Sequence, residues 1–358
     1  MTRTLLLVGT PKGAFILESD AARCDWTIGS PLCDGWPIHD LIVDPSTGAI
    51  LAAGGSPWYG PAVWRSDDRG KTWSHSSAGL TYGETGDSIA TVWSLAVAPD
   101  GAILAGVQPA GLFRSTDGGA TWSHVEGLTN HPTRPPWQPG AGGLILHTIV
   151  PHPTDVDRAW VGISAVGVFE TRDGGASWEP RNRGVRADFY PDPHPETGQC
   201  VHKLAAAAGE PETLYQQNHC GVYRSDDGGV QWEEITPGLP SQFGFPLVTH
   251  PRDPDTAWVI PLNGDDRGRY MPDASAAVWR TRDRGRSWLR SAAGLPQNDA
   301  YLTVLREAMA RDTLDPVGIA FGTETGQLWH SPDEGASWRQ IARDLPPIWS
   351  VEAVVLDD

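Results

Sequence analysis

Short apolar runs of strand length, separated by turn-forming residues, recur from one end of this chain to the other. The first complete set is His39–Val43, Ala49–Ala53, Ala62–Ser66 and Thr72–His75, four predicted strands in succession. Before it stand Leu5–Val8, Gly13–Leu17 and Asp25–Ile28, which match the second, third and fourth strands of that set but lack a first. The last apolar run, Val351–Leu356, fits the missing strand. The N-terminal run is cut short by Gly9, Pro11 and Lys12 and has no cleavage site, so it reads as a strand and not as a signal. No stretch approaches the ~20 apolar residues needed to cross a bilayer. A soluble, cytoplasmic protein with no membrane partner is expected.

The strands are organised by a repeat. The pattern Ser/Thr-x-Asp-x-Gly-x-Ser/Thr-Trp occurs at Ser66–Trp73, Ser115–Trp122, Thr171–Trp178, Ser225–Trp232, Thr281–Trp288 and Ser331–Trp338, and only the fourth copy departs, with Gln231 in the hydroxyl position. Its aspartates, Asp68, Asp117, Asp173, Asp227, Asp283 and Asp333, are 49, 56, 54, 56 and 50 residues apart, the length of a propeller blade with loop insertions. Each copy lies between the third and fourth strands of its set. There a short polar side chain accepts backbone N–H groups, glycine supplies a positive φ, and tryptophan packs on the neighbouring blade.

These residues resemble the Asp-box, or BNR, repeats of sialidases, sortilin-type receptors and many bacterial propellers. The resemblance implies an all-β, seven-bladed β-propeller of four-stranded blades, one domain spanning 1–358. Six blades carry boxes, and the seventh is shared by both termini, which removes the free sheet edges. The boxes themselves are expected to be structural, since the repeat serves hydrolases and pure binding proteins alike.

Charge narrows the partners. With 27 Lys plus Arg against 44 Asp plus Glu, the formal charge of −17 repels phosphate backbones and anionic lipid, so nucleic acid is a poor partner. Four cysteines, Cys24, Cys33, Cys200 and Cys220, are too few for a disulfide framework and are expected to be reduced. Cys200 and Cys220 stand out because each neighbours a histidine, His202 and His219.

The loops that enter the first strand and join the second to the third share one face of such a propeller, and the long ones here are 129–140, 186–194 and 263–272. With His39–Pro45 as a ruler, the positions equivalent to His39 in the following inner strands are Trp93, His147, His202, Phe245, Arg306 and, in the C-terminal strand, Glu352. Inner strands surround the axis, so His39, His147, His202 and Glu352 form a candidate metal set suited to one Zn, Fe, Mn, Ni or Cu ion. Asp40 and Glu307, one residue beyond the ring, and His219, in the turn of the blade carrying His202, are candidate acids, bases or orienting groups. Arg306 offers a fixed cation for an anionic substrate group. Tyr270, Arg269, Arg134, Trp137 and Trp58 are expected in the pocket wall if their loops fold inward.

The reading these residues favour is a metal-dependent enzyme acting on a small oxygenated or carboxylated molecule at the axis. It would work by hydrolase or lyase chemistry, or by oxygenase chemistry with iron or copper, since three histidines and one glutamate resemble the ligand set of some cupin dioxygenases. One alternative is a glycosidase or polysaccharide lyase of sialidase-like fold with a saccharide substrate, although the Arg-Ile-Pro-like motif near the N-terminus of sialidases is absent. Another is a non-catalytic binding scaffold. The sequence does not indicate an oligomeric state.

Overall fold

The computed structural model describes residues 2–84 and 86–357. Their strands form seven four-stranded antiparallel sheets, the blades of a β-propeller. The first to sixth blades begin with the inner strands Ile38–Val43, Thr91–Val97, Leu146–Pro151, Val201–Ala207, Gly244–Thr249 and Met309–Arg311. Each inner strand packs on the next. The seventh, closing blade takes its inner strand, Ser350–Asp357, from the C-terminus and pairs it with Thr2–Thr10, followed by Gly13–Asp20 and Thr27–Ile28. No helix among the described residues is long and apolar enough to cross a membrane.

Two devices hold the blades to one another. The first is the box. Asp68 accepts the Thr72 N–H at 2.8 Å and the Ser66 hydroxyl at 2.9 Å through Oδ1, and the Thr72 hydroxyl at 2.6 Å through Oδ2. The Thr72 hydroxyl, foremost among these bonds, pulls this exposed carboxyl down to about 2. In the fourth box Gln231 has no hydroxyl to offer, and its amide donates instead to the Trp232 carbonyl. The turns also dock on adjacent blades, because Trp160 donates its indole N–H to the Gly228 carbonyl at 2.8 Å and Trp258 to the Glu334 carbonyl at 3.1 Å. The second device closes the seam. Arg23 of the closing blade forms a buried ion pair with Asp312 of the sixth and also donates to the Pro316 and Pro332 carbonyls.

The inner strands carry the feature that positions the site. Ile38 pairs with Gly54 and Asp40 with Ala53, which leaves His39 unpaired in a bulge. The same irregularity strands Trp93 between Val92 and Ser94, His147 between Leu146 and Thr148, and His202 between Val201 and Lys203. In the fifth blade it falls between Gly244 and Leu247, at Phe245. Five of the seven aligned positions therefore lie on a row of β-bulges, each adding a residue that kinks the strand and re-aims its neighbours. The closing blade has none there, and Glu352 pairs directly with Leu7.

Candidate functional site

On the face of the elaborated loops, the axis opens into a cavity of about 600 Å³, a volume suited to a small molecule or a few sugar units. Much of its wall is aromatic. His39 is stacked between Trp93, with ring centroids 4.3 Å apart, and Trp349, at 4.8 Å. Burial of the imidazole, partly offset by a backbone hydrogen bond with Gly55, lowers His39 to about 4, so this stack is uncharged at neutral pH. Across the wall, the guanidinium groups of Arg306 and Arg269 lie over Phe245 at 5.8 and 5.9 Å. Arg306 donates to the Ser164 hydroxyl at 3.0 Å, and Arg269 is paired with Asp265, whose carboxyl it holds below the usual range.

Beneath the cavity, a narrower space of about 130 Å³ continues down the axis between the inner strands. It is lined by Asp40, Ser94, Thr148 and Lys203, the residues that follow the first four bulges, together with Glu307 and Glu352. Glu307 belongs to both spaces. Its backbone carbonyl accepts the Val351 N–H at 2.8 Å, its Oε2 contacts the Lys203 ammonium, and its buried Oε1 has no hydrogen-bond partner among the described residues.

Three carboxyl groups here share one ammonium. Burial and then Glu307 raise Asp40 well above the carboxylate range, although it accepts the Leu95 N–H at 2.9 Å. Desolvation by the surrounding protein raises Glu352 to about 7 against the pull of Arg311 and Lys203, although its side chain is exposed along the channel. Burial opposes the charge on Lys203, but Glu307, Asp40 and Glu352 outweigh it and hold the ammonium above the ordinary lysine range.

The four expected metal ligands do not converge. His147 is wholly buried and spends both ring nitrogens inside the wall, on the Thr148 hydroxyl at 2.9 Å and the Val201 carbonyl at 3.0 Å. His39 lies in its aromatic stack, His202 lines the cavity, and Glu352 lines the channel below. The bulges explain the difference, since they bring the residue after each ring histidine to the channel and send His39 and His202 to the cavity above, while His147 borders the channel with both nitrogens already engaged. Of the other expected residues, Arg306, Arg269, His219 and Glu307 line the cavity and Asp40 lines the channel.

The remaining wall residues lie elsewhere. Trp137 is 7% exposed and packs on Phe169, with Arg134 over its ring at 4.8 Å and donating to the Ala110 carbonyl. Their loop lends the cavity only Gly140, Ala141 and Gly142. Tyr270 packs edge-on against Tyr301, and Trp58 is 90% exposed on a turn. Trp349, Asp265 and Lys203 were not singled out by the sequence. The alignment that picked His202 had Lys203 next to it, and only the bulge register distinguishes the two.

Cys200, His202 and His219 come together at the cavity wall, with one potential ligand atom of each lying within 4.8 Å of the others. All four cysteines are free.

The fold and the boxes define the class: the chain is an Asp-box repeat β-propeller. The BNR-Asp box repeat matches residues 63–76 and the BNR/Asp-box repeat matches residues 113–124. Among similar proteins, a xyloglucanase of Paenibacillus sp is 29% identical over 257 residues, covering 64% of this chain and 23% of the relative. A xyloglucanase of Hypocrea jecorina is 28% identical over 284 residues, covering 73% and 31%. The chain thus spans about a quarter to a third of the length of these relatives. Two solved structures share the fold. An ancestral GH74 enzyme has a TM-score of 0.58 at 18% identity, covering 85% of this chain and 38% of that one. YCF48 bound to D1 peptide has a TM-score of 0.54 at 14% identity, covering 86% and 81%.

Proposed function

We propose that this protein binds a saccharide in the axial cavity and cleaves it as a glycoside hydrolase, with a glucan related to xyloglucan as the substrate class. The observation that carries the reading is Glu307, a residue of the cavity wall whose Oε2 is held by Lys203 and whose buried Oε1 has no hydrogen-bond partner among the described residues. Asp40 and Glu352 beside it favour their protonated forms, so the cluster retains a proton near neutrality. Glu307 is the member of that carboxyl cluster that also reaches the cavity, and it would pass the proton to the leaving oxygen. Asp265, kept ionised by Arg269, supplies the second carboxylate that hydrolysis of a glycosidic bond requires. The Trp93–His39–Trp349 stack offers the flat apolar surface on which sugar rings rest, and Arg306 offers donors to hydroxyl oxygens. The xyloglucanase relatives support the same class.

Reducing-end release from xyloglucan and its oligosaccharides tests the proposal. Glu307→Gln should lower kcat by about 10²–10⁴-fold, the usual worth of a positioned acid or base. Trp349→Ala should chiefly weaken binding. Saturable oligosaccharide binding without turnover would leave a receptor, the non-catalytic reading that the fold also accommodates. Absence of both binding and turnover would refute the proposal.

A further inference from the structure

We propose that Cys200, His202 and His219 form a three-ligand transition-metal site, suited to zinc, with its fourth position open to the axial cavity. All three residues belong to one blade. Cys200 immediately precedes the inner strand, His202 is the bulged residue of that strand, and His219 lies in the turn between the next two strands. The His219 N–H donates to the Cys200 carbonyl at 2.9 Å, which ties the two backbone segments together.

The His202 ring is already oriented for ligation. Its Nδ1 lies 2.6 Å from the Gly244 carbonyl, which fixes the proton there and leaves Nε2 as a lone pair aimed at the Cys200 sulfur, 3.5 Å away. A backbone carbonyl on the far nitrogen is the usual support of a metal-bound histidine. The separation also fits. Bonds of about 2.3 Å to sulfur and about 2.0 Å to nitrogen at a tetrahedral angle place the two ligand atoms about 3.5 Å apart. The His219 ring makes no hydrogen bond among the described residues, although it packs against Phe243 and Phe189, so a small rotation can bring it onto the same point.

The donor set favours a transition metal over a hard cation. One sulfur and two imidazoles suit zinc far better than magnesium or calcium, which prefer oxygen. The thiol must lose its proton when zinc binds, so uptake releases a proton. Arg269 and Arg306 lie nearby and would repel a bare dication. However, Arg269 is neutralised by Asp265, and the thiolate formed on binding cancels one of the metal's charges. The remaining positive charge beside Arg306 makes the open position a seat for water or for an anionic oxygen, such as a carboxylate.

The site does not depend on the saccharide reading, because metal uptake is measured without turnover. Metal-stripped protein should take up one equivalent of zinc by calorimetry and melt at a higher temperature with it. Cobalt in its place should give a thiolate charge-transfer band that Cys200→Ser removes. Cys200→Ser and His219→Gln should each weaken zinc binding by at least about tenfold. Cys220→Ser, which alters a buried thiol of the same turn outside the cluster, should leave it unchanged. No zinc uptake by the wild-type protein, uptake unaffected by both ligand variants, or rapid alkylation of Cys200 at saturating zinc would overturn the assignment.

Discussion

Arg23 Nη1 donates to Asp312 Oδ2 at 2.7 Å although the two residues are 289 positions apart in the chain. Both side chains are almost fully buried, and the pair spans the seam at which the ring closes. Removing one partner leaves an uncompensated buried charge, so Arg23→Met should cost about 3–5 kcal/mol. Asp312→Asn in the same chain should recover part of it, because Oδ1 can still accept the Leu314 and Gly318 N–H groups. Denaturant midpoints of the single and double variants provide the comparison, and an equal loss in both would show that the charge is not the cause.

The fourth box lacks a side-chain hydroxyl bond that the other five make. Asp173 accepts the Ser177 hydroxyl at 2.5 Å as well as the Ser177 N–H at 2.8 Å, whereas Asp227 meets only the backbone N–H of Gln231 and the Ser225 hydroxyl. Gln231→Ser should therefore stabilise the fourth blade by about 0.5–1 kcal/mol. Ser177→Ala should destabilise the third by a similar amount. Thermal melts of the two variants should move in opposite directions.

Acid should act on the same turns. Asp68 and Asp117 are each held at about 2, led by the hydroxyls of Thr72 and Thr121, so protons bind them less readily in the folded chain than in the unfolded one. Their contribution is complete above the ordinary aspartate value of 3.8 and fades as pH falls toward 2. Removing both hydroxyls, by Thr72→Val and Thr121→Val, should flatten that part of the stability profile.

Glu352 should act in the opposite sense. Its folded value of about 7 exceeds the 4.5 of a free glutamate, so folding takes up a proton. The contribution of Glu352 is complete below 4.5 and fades as pH rises through 7. Glu352→Gln should abolish this decline, and a protonated-carboxyl infrared band that titrates near 7 should disappear with it. If the band persists in the variant, Asp40 is the proton holder.

Lys203 is the ammonium shared by those carboxyl groups. Lys203→Met should leave Asp40, Glu307 and Glu352 facing one another without it, so the variant should be more destabilised above neutrality than in mild acid. The pH optimum of any hydrolysis should rise, because the cluster keeps its proton longer. Equal destabilisation at both pH values would mean that only packing was lost.

The frame was open to reading because each blade repeats a signal with a local cause. A hydroxyl, an aspartate, a glycine and a tryptophan at fixed spacing specify a turn, and the N-terminal strands without a first partner pointed to Val351–Leu356. The axial chemistry was less visible. Aligning inner strands did find the ring of equivalent positions, but sequence spacing carries no mark of a bulge, so Lys203 was passed over for its neighbour His202. His147 resembled a ligand because nothing local to it reveals that the Val201 carbonyl of the next blade takes its nitrogen. Trp349 and Asp265 reach the cavity from segments that contain no repeat, and only the closed ring brings them there.

The bulges at His39, Trp93, His147 and His202 have an evolutionary consequence. A residue standing outside the cross-strand ladder is released from the pairing rules that govern its neighbours, so where its side chain is not itself built into the wall, as that of His147 is, the position can be exchanged without rebuilding the blade. The hub then works as a set of sockets on a fixed wheel, and related chains could acquire new ligands by changing what is fitted there while every spoke stays the same.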